Sequence, residues 1–137
     1  MNVDAFVSEL SRVPVAADCF NQYAGASRAS AQRRHNLARY LQQMQDVHPE
    51  VLLVGEAPGY RGCRLTGIPF TSERLLTEGQ VGLLGQENGF RPCRSSGRPR
   101  GEATATLVWQ AIGRFQHPPL LWNAYPFHPH RPSLPES

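Results

Sequence analysis

Val51-Leu52-Leu53-Val54-Gly55-Glu56-Ala57-Pro58-Gly59-Tyr60, continued by Arg61-Gly62-Cys63-Arg64-Leu65-Thr66-Gly67-Ile68-Pro69-Phe70, is the stretch whose reading decides the fold. Its four leading apolar residues suit a strand buried on both faces. Gly55 ends that strand, and Pro58 with Gly59 forces a tight turn. Gly62, Gly67 and Pro69 are expected to keep the next residues out of regular structure. Bare backbone in such a loop can approach a ligand closely and turn its N–H groups toward an anion. Glu56 sets a carboxylate at the mouth of the turn. In an open parallel sheet, ligands bind at that carboxyl end of the strands.

Upstream, Asn2 can cap a helix whose stripe is Val3, Phe6, Val7 and Leu10, stopping near Pro14. A second helical stretch is expected over Ala16–Tyr23. From about Arg28 to Asp46, Leu37, Tyr40, Leu41 and Met44 share one face of an amphipathic helix, ended by His48-Pro49. Downstream, Thr71 or Ser72 can cap a short helix carrying Leu75 and Leu76. Residues 79–101 read as a long surface connection rich in Gly, Ser, Pro and Arg. A helix resumes near Ala103 with Leu107, Val108, Ala111, Ile112 and Phe115 on one side, broken by Pro118-Pro119. Leu120-Leu121-Trp122 then forms a second strand running into Asn123. Helix, helix, strand, helix, helix, strand implies a right-handed crossover and a parallel sheet in an α/β domain.

At 137 residues the chain is one domain, 1–137, long enough to bury a core. No apolar run approaches membrane-spanning length and no signal-peptide pattern opens the chain, so a cytoplasmic protein with no membrane partner is expected. Cys19, Cys63 and Cys93 are odd in number and far apart. Reduced thiols follow, with neither a disulfide framework nor a zinc site, and no metal or cofactor is expected. All 14 basic residues are arginine and the pI is about 9.1. Arg91, Arg94, Arg98 and Arg100 fall within ten residues that contain no acid. They read either as a solvated loop or as a phosphate-contacting edge that would make binding salt-sensitive.

The two strands deliver their following loops to one sheet edge. Glu56-Ala57-Pro58-Gly59 and Asn123-Ala124-Tyr125-Pro126-Phe127-His128-Pro129-His130 meet there, and Phe70 can fold back onto them. A carboxylate, an aromatic face and an amide are the groups that read an extruded nucleobase, by stacking and by hydrogen bonds to its pairing edge.

Gly55-Glu56-Ala57-Pro58-Gly59 followed by Gly67-Ile68-Pro69-Phe70 resembles the first motif of the uracil-DNA glycosylase superfamily, closest to its family 4 form. Asn123, followed by Pro126, His128, Pro129 and Arg131, resembles that superfamily's uracil-recognising segment, and Pro126-Phe127-His128-Pro129 is similar to the mismatch-specific branch. The likeness covers about half the chain. It implies a three-layer α/β/α fold with a short central parallel sheet. It also implies hydrolysis of the N-glycosidic bond of uracil in DNA, as in base-excision repair, with DNA the partner and the protein a monomer.

On this resemblance Phe70 stacks on the base, against the alternative of an ordinary core residue. Asn123 donates to uracil O4 and accepts from N3–H, a pattern cytosine inverts; the alternative is a strand-ending turn. Backbone N–H groups near Glu56 and Ala57 bind uracil O2, where negative charge develops, and Gly55 is counted with Ala57 among the base-binding residues. Ala57 replaces the water-activating Asp or Asn of other branches, which leaves Glu56 as catalytic base or cation stabiliser, or else as an acceptor that orders the loop. Gly59 occupies the place of a thymine-excluding Tyr, with Tyr60 a candidate substitute. His128 and His130 are expected to line the pocket or contact backbone.

The family's later His-Pro-Ser motif is not found before Ser137, so the resemblance implies the front of a fold incomplete at its C-terminus. The family 4 iron–sulfur cluster, which needs four cysteines, is not expected. The alternative function is a non-catalytic nucleic-acid or nucleobase-binding remnant. A third reading, an unrelated nucleotide-binding α/β enzyme, lacks G-x-G-x-x-G or G-K-[ST] after the strand.

Overall fold

The computed structural model describes residues 1–78 and 82–133; the first residues of the expected 79–101 connection and the last four of the chain lie outside these. The chain folds as a mixed α/β domain. Helix α1 (Val3–Arg12) starts where the Asn2 side chain accepts the Ala5 N–H at 2.9 Å, which satisfies one of the open amides of the first turn. Strand β1 (Cys19–Phe20) precedes the long helix α2 (Arg28–Val47), capped by Ser27 and closed by His48 in the left-handed region. Strand β2 is Leu52–Gly55, followed by the short helices α3 (Cys63–Thr66) and α4 (Glu73–Glu78). Helix α5 (Ala103–Ile112), strand β3 (Leu120–Asn123) and strand β4 (His128–Pro129) complete it.

Strands β2 and β3 pair in parallel, with Leu52 opposite Leu120 and Gly55 opposite Asn123. The expected crossover sheet is therefore present, as two strands. Helix α2 supplies Leu37, Tyr40, Leu41 and Met44 to a core shared with Val3, Val7 and Leu10 of α1 and with Leu121 of β3. The Tyr40 hydroxyl accepts the Leu121 N–H at 2.8 Å, so α2 closes the outer edge of β3. Phe6 of α1 meets Trp122 with ring centroids 5.8 Å apart.

Four expectations are corrected. Val51–Val54 is not buried on both faces: Val51, Leu52 and Val54 are 61%, 55% and 54% exposed. The helices gather around β3, which leaves β2 as the outer strand. Ala16–Tyr23 is not helical. Its centre is β1, paired antiparallel with β4, and the Asn21 amide is drawn to the Leu10 and Val13 carbonyls at the end of α1. Residues 63–66 of the supposed irregular loop form α3, which ends at Gly67 (φ 82°). A Cβ at Gly67 would lie 2.5 Å from the Arg33 carbonyl, so only glycine fits. Finally, α5 buries Ala105, Trp109 and Ile112, while Leu107 and Phe115 face solvent. Among the described residues no helix is long and apolar enough to cross a membrane.

Candidate functional site

Parallel pairing sends both strand ends the same way, and hydrogen bonds carry the union into the loops. Ala124 N–H donates to Gly55 O at 2.8 Å, and Tyr125 N–H to Glu56 O at 3.0 Å. Beside this seam lies a cavity of about 220 Å³. Gly55, Glu56, Ala57 and Gly59 line it from the first loop, and Phe70 and Asn123 line it as well. Gly62, Cys63, Thr71, Glu102 and Thr104 complete the wall.

Gly55 is the point of closest approach. A Cβ there would sit 2.6 Å from Phe70 Cζ and 2.7 Å from Asn123 Oδ1. The aromatic ring and the amide thus converge on bare backbone. Phe70 is held in the left-handed region at φ 53°, a conformation non-glycine residues adopt at a cost. Trp109 Nε1–H, donating to the Phe70 carbonyl at 2.9 Å, fixes it there. Asn123 is 5% exposed, and its amide has no hydrogen-bond partner among the described residues. Its amide nitrogen and oxygen are not sealed from solvent: they open onto the cavity, where a ligand or solvent can complete them.

Glu56 is exposed at the cavity rim, and its carboxylate has no hydrogen bond or ion pair among the described residues. It is not bonded to loop N–H groups. The Glu56 and Ala57 N–H groups donate to no described acceptor either, so all three remain available to a ligand.

Glu102 was missed by sequence reasoning. Its carboxylate caps α5, accepting Thr104 N–H at 3.0 Å and Ala105 N–H at 2.6 Å. An acid directly before a helix start was the available signal. Cys63, read only as a reduced thiol, faces Tyr23 and Gln22; burial pushes its pKa up to about 12.

Other expected site residues lie elsewhere. Tyr60 does not line the cavity: it stacks under the Arg64 guanidinium, 4.7 Å from the ring centroid, and against His128 at 6.2 Å. His128 is 4% exposed and places Nδ1 2.7 Å from the Pro58 carbonyl, so it contacts backbone. His130 lies beside the β1–β4 pair, its N–H on Asp18 O and its Nδ1 2.9 Å from Arg131 O.

The arginine-rich segment is tied down at several points. Asn36 grips Arg91 through both its N–H and its carbonyl. Arg94 makes a bidentate pair with Glu73 at 2.6 and 2.7 Å and also donates to the Arg98 carbonyl. Its guanidinium is committed to the fold. Arg91, Arg98 and Arg100 remain exposed. Among the described residues, no cluster of three or more His, Cys, Asp or Glu could hold a metal.

Fold and site together define an α/β domain with a small pocket, part polar and part aromatic, at the ends of two parallel strands. No protein-family model, no curated protein and no solved structure matches the chain.

Proposed function

We propose that this chain is a uracil-DNA glycosylase-like protein that takes uracil extruded from DNA into the Gly55–Asn123 pocket. The observation that carries the reading is the Asn123 amide, open to the cavity with no hydrogen bond among the described residues, set beside Phe70 over bare Gly55 backbone. An amide is both donor and acceptor, and uracil offers O4 and N3–H side by side. Phe70 supplies the stacking face and the Glu56 and Ala57 N–H groups meet O2. Glu56 stabilises the cation-like sugar and takes a proton from the attacking water. The C1′–N1 bond breaks with its electron pair leaving on uracil, and water oxygen bonds C1′. The expected setting is cytosolic, with the protein acting as a monomer on DNA.

A second reading, nucleobase or nucleic-acid binding without catalysis, is favoured by one observation. Among the described residues no imidazole lines the cavity, and His128 is turned to Pro58 O. Losing one positioned donor to a developing anion costs on the order of a hundred- to a thousandfold in rate. Excision is therefore expected to be slow or absent beside weak binding of uracil-containing DNA. A uracil-release assay with a parallel binding measurement is the test. Glu56→Gln and Asn123→Ala should abolish residual release. Robust turnover surviving Asn123→Ala would overturn the assignment.

A further inference from the structure

Two buried polar side chains outside the cavity link the segment after Asn123 to the turn that lines it. Gln22 lies just after β1 and is fully buried. Its Nε2 donates to the Pro126 carbonyl at 2.8 Å, and its Oε1 accepts the His128 N–H at 3.3 Å. Both ends of its amide therefore grip the segment that follows Asn123. The His128 side chain carries the linkage on, with Nδ1 2.7 Å from the Pro58 carbonyl. A carbonyl has no hydrogen to give, so Nδ1 must be the donor.

The peptide between Pro58 and Gly59 is the far arm of the turn that carries Glu56, Ala57 and Gly59 along the cavity. Proline fixes φ on one side of that arm, and on the other the Gly59 carbonyl accepts the Gly62 and Arg64 N–H groups at 3.2 and 3.3 Å. On the near arm, the Tyr125 N–H holds Glu56 O. The imidazole bond to Pro58 O adds a side-chain hold on the second peptide itself.

We infer that Gln22 and His128 are positioning residues that hold the Glu56–Gly59 turn in register with Asn123, acting through the Pro58 carbonyl and without touching the base. This rests on the uracil-excision reading, since the geometry they hold is that of the groups assigned to O2 and to the sugar. A displacement of about 1 Å in such groups can cost on the order of a hundredfold in rate.

The test exploits the shape of the donor. Asparagine can place an N–H close to where Nδ1 sits, whereas glutamine reaches toward the Nε2 position. Single-turnover uracil release, affinity for a uracil-containing oligonucleotide, and backbone amide exchange at Tyr125, Gly62 and Arg64, whose N–H groups bond the Glu56 and Gly59 carbonyls, would be measured on the full chain. His128→Gln and Gln22→Met should lower the maximal release rate roughly ten- to a hundredfold with little change in affinity, and should speed exchange. His128→Asn should stay within about threefold of the parent rate. Equal losses in the Asn and Gln variants would reduce His128 to packing and overturn the inference; so would no loss in either. If the parent chain neither releases nor selectively binds uracil, the function reading fails. Amide exchange then decides the clamp alone: faster in Gln and unchanged in Asn supports it, and equal behaviour overturns it.

Discussion

Gly55 and Asn123 stand opposite each other in the parallel register, and a methyl group on Gly55 would fall 2.7 Å from the Asn123 Oδ1. The same methyl would strike the Phe70 ring edge at 2.6 Å. Gly55→Ala must therefore push apart the two groups assigned to reading and stacking the base. Overpacking of this kind costs about 1–3 kcal/mol. We expect a lower Tm and loss of uracil-dependent binding, read by calorimetry and titration. An alanine variant with parent affinity would show that the pocket tolerates a wider floor.

The arginines of the 91–100 segment should separate into two kinds. Arg98 and Arg100 are exposed, and replacing both with Ala should flatten the dependence of log affinity for DNA on log salt. Arg94 is different. Glu73 is 6% exposed and receives both Arg94 and the Arg100 N–H, so Arg94→Ala leaves a buried carboxylate short of its partner. The Arg94 side chain is itself 31% exposed, which places the loss below the buried-pair range and above that of a surface pair, at about 1–3 kcal/mol. Urea unfolding should show that loss while the salt slope stays unchanged.

How legible was this in the sequence? The Gly55–Gly59 turn, Phe70 and Asn123 were found because strand ends and Gly-Pro punctuation are local signals, and because parallel pairing fixes where both loops go. The tie from Gln22 to His128 spans more than a hundred residues through two-residue strands, which have no periodicity to detect. Leu107 and Phe115 were misplaced for another reason. The α5 sequence carries two apolar stripes, and only packing selects Ala105, Trp109 and Ile112 as the buried one. Composition likewise marks Val51–Val54 as strand but cannot say that its neighbours gather around β3.

That asymmetry between the two parallel strands can be measured. Leu121 is fully buried under α2, and truncation to Ala should cost about 2–5 kcal/mol. Leu52, paired one position away but 55% exposed, should tolerate Thr within about 0.5 kcal/mol. Leu52→Thr together with Val54→Thr should also reduce concentration-dependent association, because an exposed apolar edge strand is a template for pairing. Light scattering across a dilution series checks this; unchanged scattering would mean that the edge is already protected.

The buried acids set the last prediction, a loss of stability on the alkaline side. Burial raises the Cys63 thiol from 9.0 to about 12 and the Cys93 thiol from 9.0 to about 11. Tyr23 and Tyr40 are raised by burial as well. For a group whose folded pKa lies above its unfolded value, the unfolded chain releases the proton first. Between the two values the folded state binds more protons, so stability falls as pH rises. The contribution is intact below pH 9 and is lost progressively up to about pH 11 for Cys93 and about pH 12 for Cys63. Urea midpoints should therefore be flat from pH 7 to 8.5 and decline above pH 9. Cys63→Ala should lower stability at neutral pH through the cavity it leaves, yet make the alkaline decline shallower. In the folded chain at pH 8, Cys19, which is only partly buried, should react with a thiol reagent well before Cys63 and Cys93. Three thiols modified at equal rates, with no alkaline decline, would show that the Tyr23–Cys63 contact does not persist in solution.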